Sequence, residues 1–200
     1  DLCSLKPDVD RNCMVCELQI NDDGEVEQHQ FYQSIIKSVA RLTYTEVASI
    51  VIDKNTGEDI CERKLLPHLY DLYALYELMH AQRRKRGLLD FNSTESRIVV
   101  DDSGNITDVV PLLRNDAHRL IEEFMLAANI AAADYLLENE IPVLYRNHEF
   151  PKLEKLSALR EFLAEFGLSL AGGDEPKAWH YAELIKTLKN RDDAHLIETV

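Results

Sequence analysis

Apolar and polar residues alternate in two stretches of the chain, and both stretches carry a turn signal at their centre. The first is "CMVCELQINDDGEVEQHQFYQSII", with the turn at Asn21–Gly24, and the second is "RIVVDDSGNITDVVPL", with the turn at Asp101–Gly104. Two β-prone runs joined by a short segment that contains Gly are typical of a β-hairpin. The pattern therefore predicts two antiparallel hairpins, both in the first 112 residues.

Most of the remaining chain has the apolar spacing of a helix. "TYTEVASIVIDK" starts at a possible N-cap, Thr43 or Thr45, and a second helical pattern covers residues 59–86. Pro67 predicts a kink or a late start in that second helix, and Gly87 predicts its end. Later helical runs are "RLIEEFMLAANIAAADYLL", "KLEKLSALREFLAEFGL", "KAWHYAELIKTLK" and "DDAHLIETV", and "IPVLYRNHEFP" between the first two of them is extended. Hairpins followed by helices favour an α+β fold.

The helix predicted from about Asn115 to Leu137 has apolar residues on two sides. Its broad stripe consists of Leu120, Ile121, Phe124, Met125, Ala128, Ala132, Tyr135 and Leu136. A second stripe, nearly opposite, consists of Leu126, Ile130 and Leu137. Because a helix with two apolar sides packs against two neighbours, we expect this helix to be buried between two layers.

Two adjacent glutamates interrupt that helix, and the helical period places them differently. Glu123 lies four residues after Arg119, which predicts a surface ion pair. Glu122 falls beside Asn129 between the two apolar stripes, where a partly buried carboxylate needs polar partners. Its role is either functional or that of a structural hydrogen-bond acceptor. His118 by itself is a capping or surface residue, but with Arg114 it can help to form a polar pocket at the start of the helix.

Composition restricts the class of protein. The chain is 46% hydrophobic, and no segment is long and apolar enough to span a membrane. The formal net charge of −14 argues against nucleic acid as a partner, although the basic run "RRKR" is a local exception. Cys13 and Cys16 have the spacing of half a zinc site, but they lie in a predicted strand and no second such pair follows. We therefore expect free thiols in a reducing, cytoplasmic compartment.

Five longer motifs, in order, resemble the catalytic RNB domain of the ribonuclease II and ribonuclease R superfamily. They are "LCSLKPDVDRNCMVCEL", "SVARLTYTEV", "RNDAHRLIEEFMLAANIAAADYL", "PVLYRNHEFPKLEKL" and "FGLSLAGGDEP". "ARLTY", "RNDAH" and "YRNHEFP" are closer to the ribonuclease R branch. The resemblance covers residues 1–200 and implies a 3′-to-5′ exoribonuclease that degrades single-stranded RNA processively to nucleoside 5′-monophosphates, with Mg²⁺ ions assisting hydrolysis.

The resemblance also implies roles for individual residues. Tyr44 matches a tyrosine that positions the terminal nucleotide, and Glu122 matches a carboxylate at the same end of the RNA channel. Phe91 matches an aromatic residue that stacks on the terminal bases, as binding without base preference requires. Arg114 and Arg146 are candidates for RNA contacts. For Arg146 and also for His148, the alternative is a structural role that holds their loop in place.

The resemblance leaves parts of the family pattern unmatched. The metal-binding aspartate cluster is expected before Cys3, a phosphate-contacting arginine after Val200, and the S1 and cold-shock modules outside the chain. We do not assign a metal to the aspartates of the turns and strand starts, namely Asp8, Asp10, Asp22, Asp23, Asp101 and Asp102. We therefore expect the central part of an RNB catalytic domain, inactive by itself and binding no Mg²⁺.

Two other functions are compatible with these residues. The first is a non-catalytic RNB-like module that binds RNA or acts as a scaffold, which the acidic net charge favours. The second is an acidic helical interaction domain unrelated to RNA, which leaves the ordered motifs unexplained. We expect single-stranded RNA as the partner, with no role for DNA or a membrane, and the sequence leaves the oligomeric state open.

Overall fold

The computed structural model describes residues 3–57, 60–89, 95–112, 114–188, 191 and 193–197. These residues form two β-hairpins and six α-helices. The elements in order are β1 (Asp10–Ile20), β2 (Val26–Lys37), α1 (Tyr44–Val51), α2 (Leu66–Arg86), β3 (Glu95–Val100), β4 (Ile106–Leu112), α3 (Asp116–Glu138), α4 (Leu153–Glu165), α5 (Ala178–Leu188) and α6 (Ala194–Ile197). The predicted α+β class is confirmed.

Both predicted hairpins are present as two-stranded antiparallel sheets. β1 pairs with β2 and β3 pairs with β4, and each pair has an irregularity in register next to its turn. Gly24 in the first turn has a φ of +81°, and a Cβ atom there would lie 2.7 Å from the carbonyl oxygen of Leu78. This turn therefore requires glycine for two reasons, its left-handed backbone and its closeness to α2.

The start of α2 follows from Pro67. A single 3₁₀ turn at Arg63–Leu65 precedes the helix, and Pro67 is its second residue, where no helical hydrogen bond needs a backbone N–H. The predicted late start is confirmed. The helix buries Tyr76 and Met79, whereas Leu72 is 40% exposed.

α3 packs along a narrow line of mostly small residues, so the predicted burial of both apolar stripes is wrong. The buried residues are Ala117, Leu120, Glu123, Ala127 and Ala131. Ile121 and Met125, which belong to the predicted broad stripe, are 50% and 52% exposed. Because alanine has a short side chain, this line lets neighbouring elements approach the helix backbone, and α3 contacts both α1 and β1.

The chain divides into two compact units, residues 1–81 with 94–143 and residues 82–93 with 144–200. The buried core of the second unit consists of Leu156, Leu163, Leu170, Leu188 and Ile197. Gly167, with a φ of +69°, follows the end of α4. In the described part of the chain, no helix is long and apolar enough to cross a membrane.

Candidate functional site

The N-termini of α1 and α3 meet through two stacked aromatic rings. The ring of Tyr44, the first residue of α1, lies face to face with the imidazole of His118, with 4.0 Å between the ring centres and 19° between their planes. Tyr44 nevertheless remains 45% exposed. The pair therefore forms an aromatic surface that solvent, or a ligand, can reach.

A capping box fixes the position of Tyr44. Thr43 is the N-cap of α1, and its backbone N–H donates to the Glu46 carboxylate at 2.6 Å, while the Glu46 backbone N–H donates to the Thr43 hydroxyl at 3.3 Å. The bonds from Thr43 lower the pKa of Glu46, because they stabilise its charged form. Tyr44 is thus held at a helix start whose geometry the local sequence dictates.

A second capping box fixes His118. Asn115 is the N-cap of α3, and its side-chain oxygen accepts from the backbone N–H groups of Ala117 and His118. The Nδ1 atom of His118 reaches back to Asn115, at 3.3 Å from the backbone nitrogen and 2.7 Å from the side-chain oxygen. Burial, with the nearby charge of Arg114, lowers the pKa of His118 and so favours the neutral ring.

Glu122 lies one helical turn after His118 and forms an ion pair with Arg114. The Glu122 side chain is 33% exposed and that of Arg114 is 41% exposed. The structure thus brings together four residues from the sequence analysis, Tyr44, Arg114, His118 and Glu122. We call them the terminal cluster. It combines an aromatic surface, a cation and a carboxylate, which can stack on a base and hydrogen-bond to sugar or phosphate groups.

Glu123 differs from its predicted surface position. It is only 4% exposed, and its Oε1 atom lies 3.0 Å from the Nδ1 atom of His80 on α2. Arg119, the predicted partner of Glu123, donates to Asp116 at 2.8 Å. The predicted surface position of Glu123 is wrong, because Glu123 belongs to the buried line of α3, where His80 supplies a polar partner.

His80 continues a polar line on α2 that the sequence analysis did not find. The hydroxyl groups of Tyr73 and Tyr76 donate to Asp116 at the start of α3, at 3.3 and 3.5 Å. Burial is the main cause that raises the pKa of both phenols. Tyr73, Tyr76 and His80 have helical spacing, so the signal was present as aromatic residues with polar tips, three and four positions apart.

Three further candidates, Phe91, Arg146 and His148, are not assigned to the terminal cluster. Arg146 and His148 are exposed in the extended segment before α4, which belongs to the second compact unit. Phe91 lies outside the described residues. Among the residues that are described, no group of three His, Cys, Asp or Glu side chains is placed to hold a metal ion. One oxygen of Asp101 instead accepts backbone N–H bonds within its turn, from Ser103 and Asn105.

The fold is that of a ribonuclease R catalytic region. The chain superposes on the apo form of Mycoplasma genitalium RNase R with a TM-score of 0.89 at 28% identity, covering 99% of this chain and 31% of that one. It matches the structure of that enzyme in complex with ribose methylated single-stranded RNA with the same score, identity and coverage. Nearly every residue of this chain therefore has a structural counterpart in that enzyme.

The family model of the RNB domain matches residues 1–200, and the chain belongs to that family. Ribonuclease R of Vibrio cholerae is 41% identical over 201 residues, and ribonuclease R of Escherichia coli K12 is 39% identical. Each comparison covers 100% of this chain and 24% of the relative, so the chain spans about a quarter of their length. The resemblance to the RNB domain, and to its ribonuclease R branch, is confirmed.

Proposed function

We propose that this chain is the central part of the catalytic domain of a 3′-to-5′ exoribonuclease. Its substrate is single-stranded RNA, which the intact enzyme degrades processively to nucleoside 5′-monophosphates. The observation that carries the proposal is the match to the RNB domain over all 200 residues. The structure of a 28% identical relative in complex with RNA supports the choice of substrate.

In this proposal the terminal cluster holds the 3′-terminal nucleotide. Tyr44 stacks on the base through its exposed ring, and Glu122 accepts hydrogen bonds from the sugar hydroxyl groups. Arg114 orients Glu122 through their ion pair and brings a positive charge to the site, which attracts phosphate. These residues bind and orient the substrate, which lowers the entropic barrier to attack, and they do not carry out hydrolysis themselves. Phe91 contributes stacking on the 3′-terminal bases, and Arg146 contributes a contact to phosphate.

We propose Mg²⁺ as the cofactor of the intact enzyme and assign none of its ligands to the described residues. These residues do not fit a metal site, since no cluster of three suitable side chains occurs among them and Asp101 is engaged in its turn. Mg²⁺ prefers carboxylate oxygens in near-octahedral geometry, which a single turn aspartate does not provide. The intact protein acts in the cytoplasm on RNA, without a role for DNA or a membrane.

The proposal is tested in the full-length protein with uniformly labelled single-stranded RNA and Mg²⁺, resolved on a denaturing gel. Tyr44→Ala and Glu122→Ala are expected to slow mononucleotide release or lengthen the final product. Tyr70→Ala and Glu138→Ala are matched controls, because Tyr70 is 44% exposed on α2 and Glu138 is exposed at the end of α3. Rates and product lengths like those of the wild type in both test variants would contradict these assignments.

A second function, a non-catalytic RNB-like module that binds RNA or acts as a scaffold, is favoured by the net charge of −14. It predicts that the full-length protein binds labelled RNA and leaves it intact when Mg²⁺ is present. Mononucleotide release under the same conditions excludes it.

A further inference from the structure

His118 makes two contacts of different kinds. Its ring stacks on Tyr44 of α1, and its Nδ1 atom is bound to Asn115 at the start of its own helix. The second contact is a helix cap, a role that needs only a hydrogen-bonding atom at this position. The first contact needs a flat ring. The two contacts are therefore separable by substitution.

The two contacts together fix how Tyr44 is presented. The backbone of Tyr44 is set by the capping box of Thr43 and Glu46, and the plane of the His118 ring is set by Asn115. Because the rings are only 19° from parallel, the imidazole covers one face of the phenol ring. With 45% of Tyr44 exposed, the phenol is still available to a second flat group.

We propose that His118 is the positioning residue of the terminal cluster, whose ring covers one face of Tyr44 so that the terminal base stacks on the opposite face. This inference rests on the proposed function, in which Tyr44 contacts the 3′-terminal nucleotide. A phenol ring held between an imidazole and a base loses less freedom on binding than a freely rotating one. His118 therefore acts on substrate affinity through Tyr44 and does not take part in hydrolysis.

The test compares two variants of the full-length protein. His118→Gln keeps a hydrogen-bonding group suited to the cap but removes the ring, and His118→Phe keeps a ring but removes the hydrogen-bonding nitrogen. Binding is measured in EDTA with an RNA that carries 2-aminopurine at its 3′ end, because stacking quenches the fluorescence of this base. Thermal unfolding is measured on the same samples, with His68→Gln, an exposed histidine of α2, as the control.

RNA binding should change in one variant and thermal stability in the other. His118→Gln should weaken binding roughly fivefold and reduce quenching, with little change in Tm, because base–aromatic stacking carries much of such affinity. His118→Phe should lower Tm by about 2–4 °C, as expected for a lost cap, while binding and quenching stay close to wild type. His68→Gln should change neither.

The experiment distinguishes failure of the inference about His118 from failure of the proposed function. If the wild type quenches 2-aminopurine and His118→Gln binds and quenches equally well, the ring of His118 does not position Tyr44. The same conclusion follows if His118→Phe loses affinity as strongly as His118→Gln. If the wild type itself neither quenches the terminal base nor releases mononucleotides with Mg²⁺, it is the proposed function that fails.

Discussion

Glu122 and Glu123 are neighbours in sequence with opposite surroundings, so the same substitution should have different effects. Glu123→Ala removes a buried partner of His80 and should lower the free energy of unfolding by about 3 kcal/mol. Glu122→Ala removes one half of a partly exposed ion pair and should cost less than about 1 kcal/mol. Urea unfolding monitored by circular dichroism measures both values.

For RNA binding, Glu122→Ala should have the larger effect and Glu123→Ala the smaller one. Glu122→Ala should weaken binding of the RNA terminus, while any Glu123→Ala protein that remains folded should bind nearly as well as the wild type. Glu123→Gln serves as the control for shape, because it keeps a hydrogen-bonding group in the buried site. A Glu123→Ala protein as stable as the wild type would show that the buried pair with His80 is not important for folding.

We expect His118 to make the stability of the fold dependent on pH. Burial and Arg114 lower its pKa, so the unfolded chain takes up a proton first as the pH falls below about 6.5. Between that value and the lowered pKa of the folded state the unfolded state binds more protons, and acidification therefore destabilises the fold. This contribution is absent above pH 7 and complete below the lowered pKa.

The expected result is that His118→Gln reduces the loss of stability between pH 7.5 and pH 5. Urea midpoints at the two pH values measure the difference, with His68→Gln as the control for an exposed histidine. A loss of stability that is identical in the wild type and His118→Gln would contradict the lowered pKa.

At the scale of elements, the start of α1 depends on Thr43. Thr43→Ala removes the side-chain acceptor of the capping box and should cost about 1 kcal/mol of unfolding free energy. Thr45→Ala is the matched control, because Thr45 was the alternative N-cap in the sequence and lies exposed inside the helix. Thermal unfolding of both variants checks the difference, and an equal or larger loss for Thr45→Ala would contradict the assignment.

The buried line of α3 depends on small side chains. Ala131→Leu adds volume at a position that is 2% exposed and should destabilise the fold by about 1–3 kcal/mol through overpacking. Ala74→Leu makes the same change at an exposed position of α2 and should be close to neutral. Urea unfolding compares the two, and an Ala131→Leu protein as stable as the wild type would show that the helix is not closely packed there.

Local signals predicted the elements well, and the packing of α3 shows where they fail. Some features depend only on residues within a few positions, and the sequence was sufficient to predict them. They are the turns at Gly24 and Gly104, the N-cap Thr43 and the late start at Pro67. The buried face of α3 depends on Ala117, Ala127 and Ala131, which a search for large apolar residues does not detect. The partner of Glu123 is His80, 43 residues away, and helical periodicity has no information on such a pair.

At the scale of the whole molecule, the net charge of −14 opposes RNA binding, whereas the family match supports it. Charge summed over a chain does not describe a local site, and the terminal cluster contains its own cation, Arg114. The motifs, and not the composition, therefore predicted the function class. Composition alone could not have done so, because phosphate recognition depends on where a few basic residues lie.

The purified 200-residue chain should bind single-stranded RNA weakly and release no mononucleotides with Mg²⁺. The described residues supply no cluster of metal ligands, and the overall negative charge repels phosphate. Fluorescence anisotropy and a denaturing gel test both statements, with the full-length protein as the positive control. Robust Mg²⁺-dependent release of mononucleotides by the chain would contradict them.

The capped start of α3 also determines where the sequence tolerates a change in length. Successive residues of a helix differ by about 100° in direction, so one residue inserted between Asn115 and Glu122 would turn Glu122 and Glu123 away from Arg114 and His80. Insertions in the exposed turn at Asp101–Asn105 meet no such restriction, because Gly104 has no neighbour within 4 Å of where a Cβ atom would lie. Among homologous sequences, the spacing from Asn115 to Glu123 should stay constant, while the length of the turn at Asp101–Asn105 should vary.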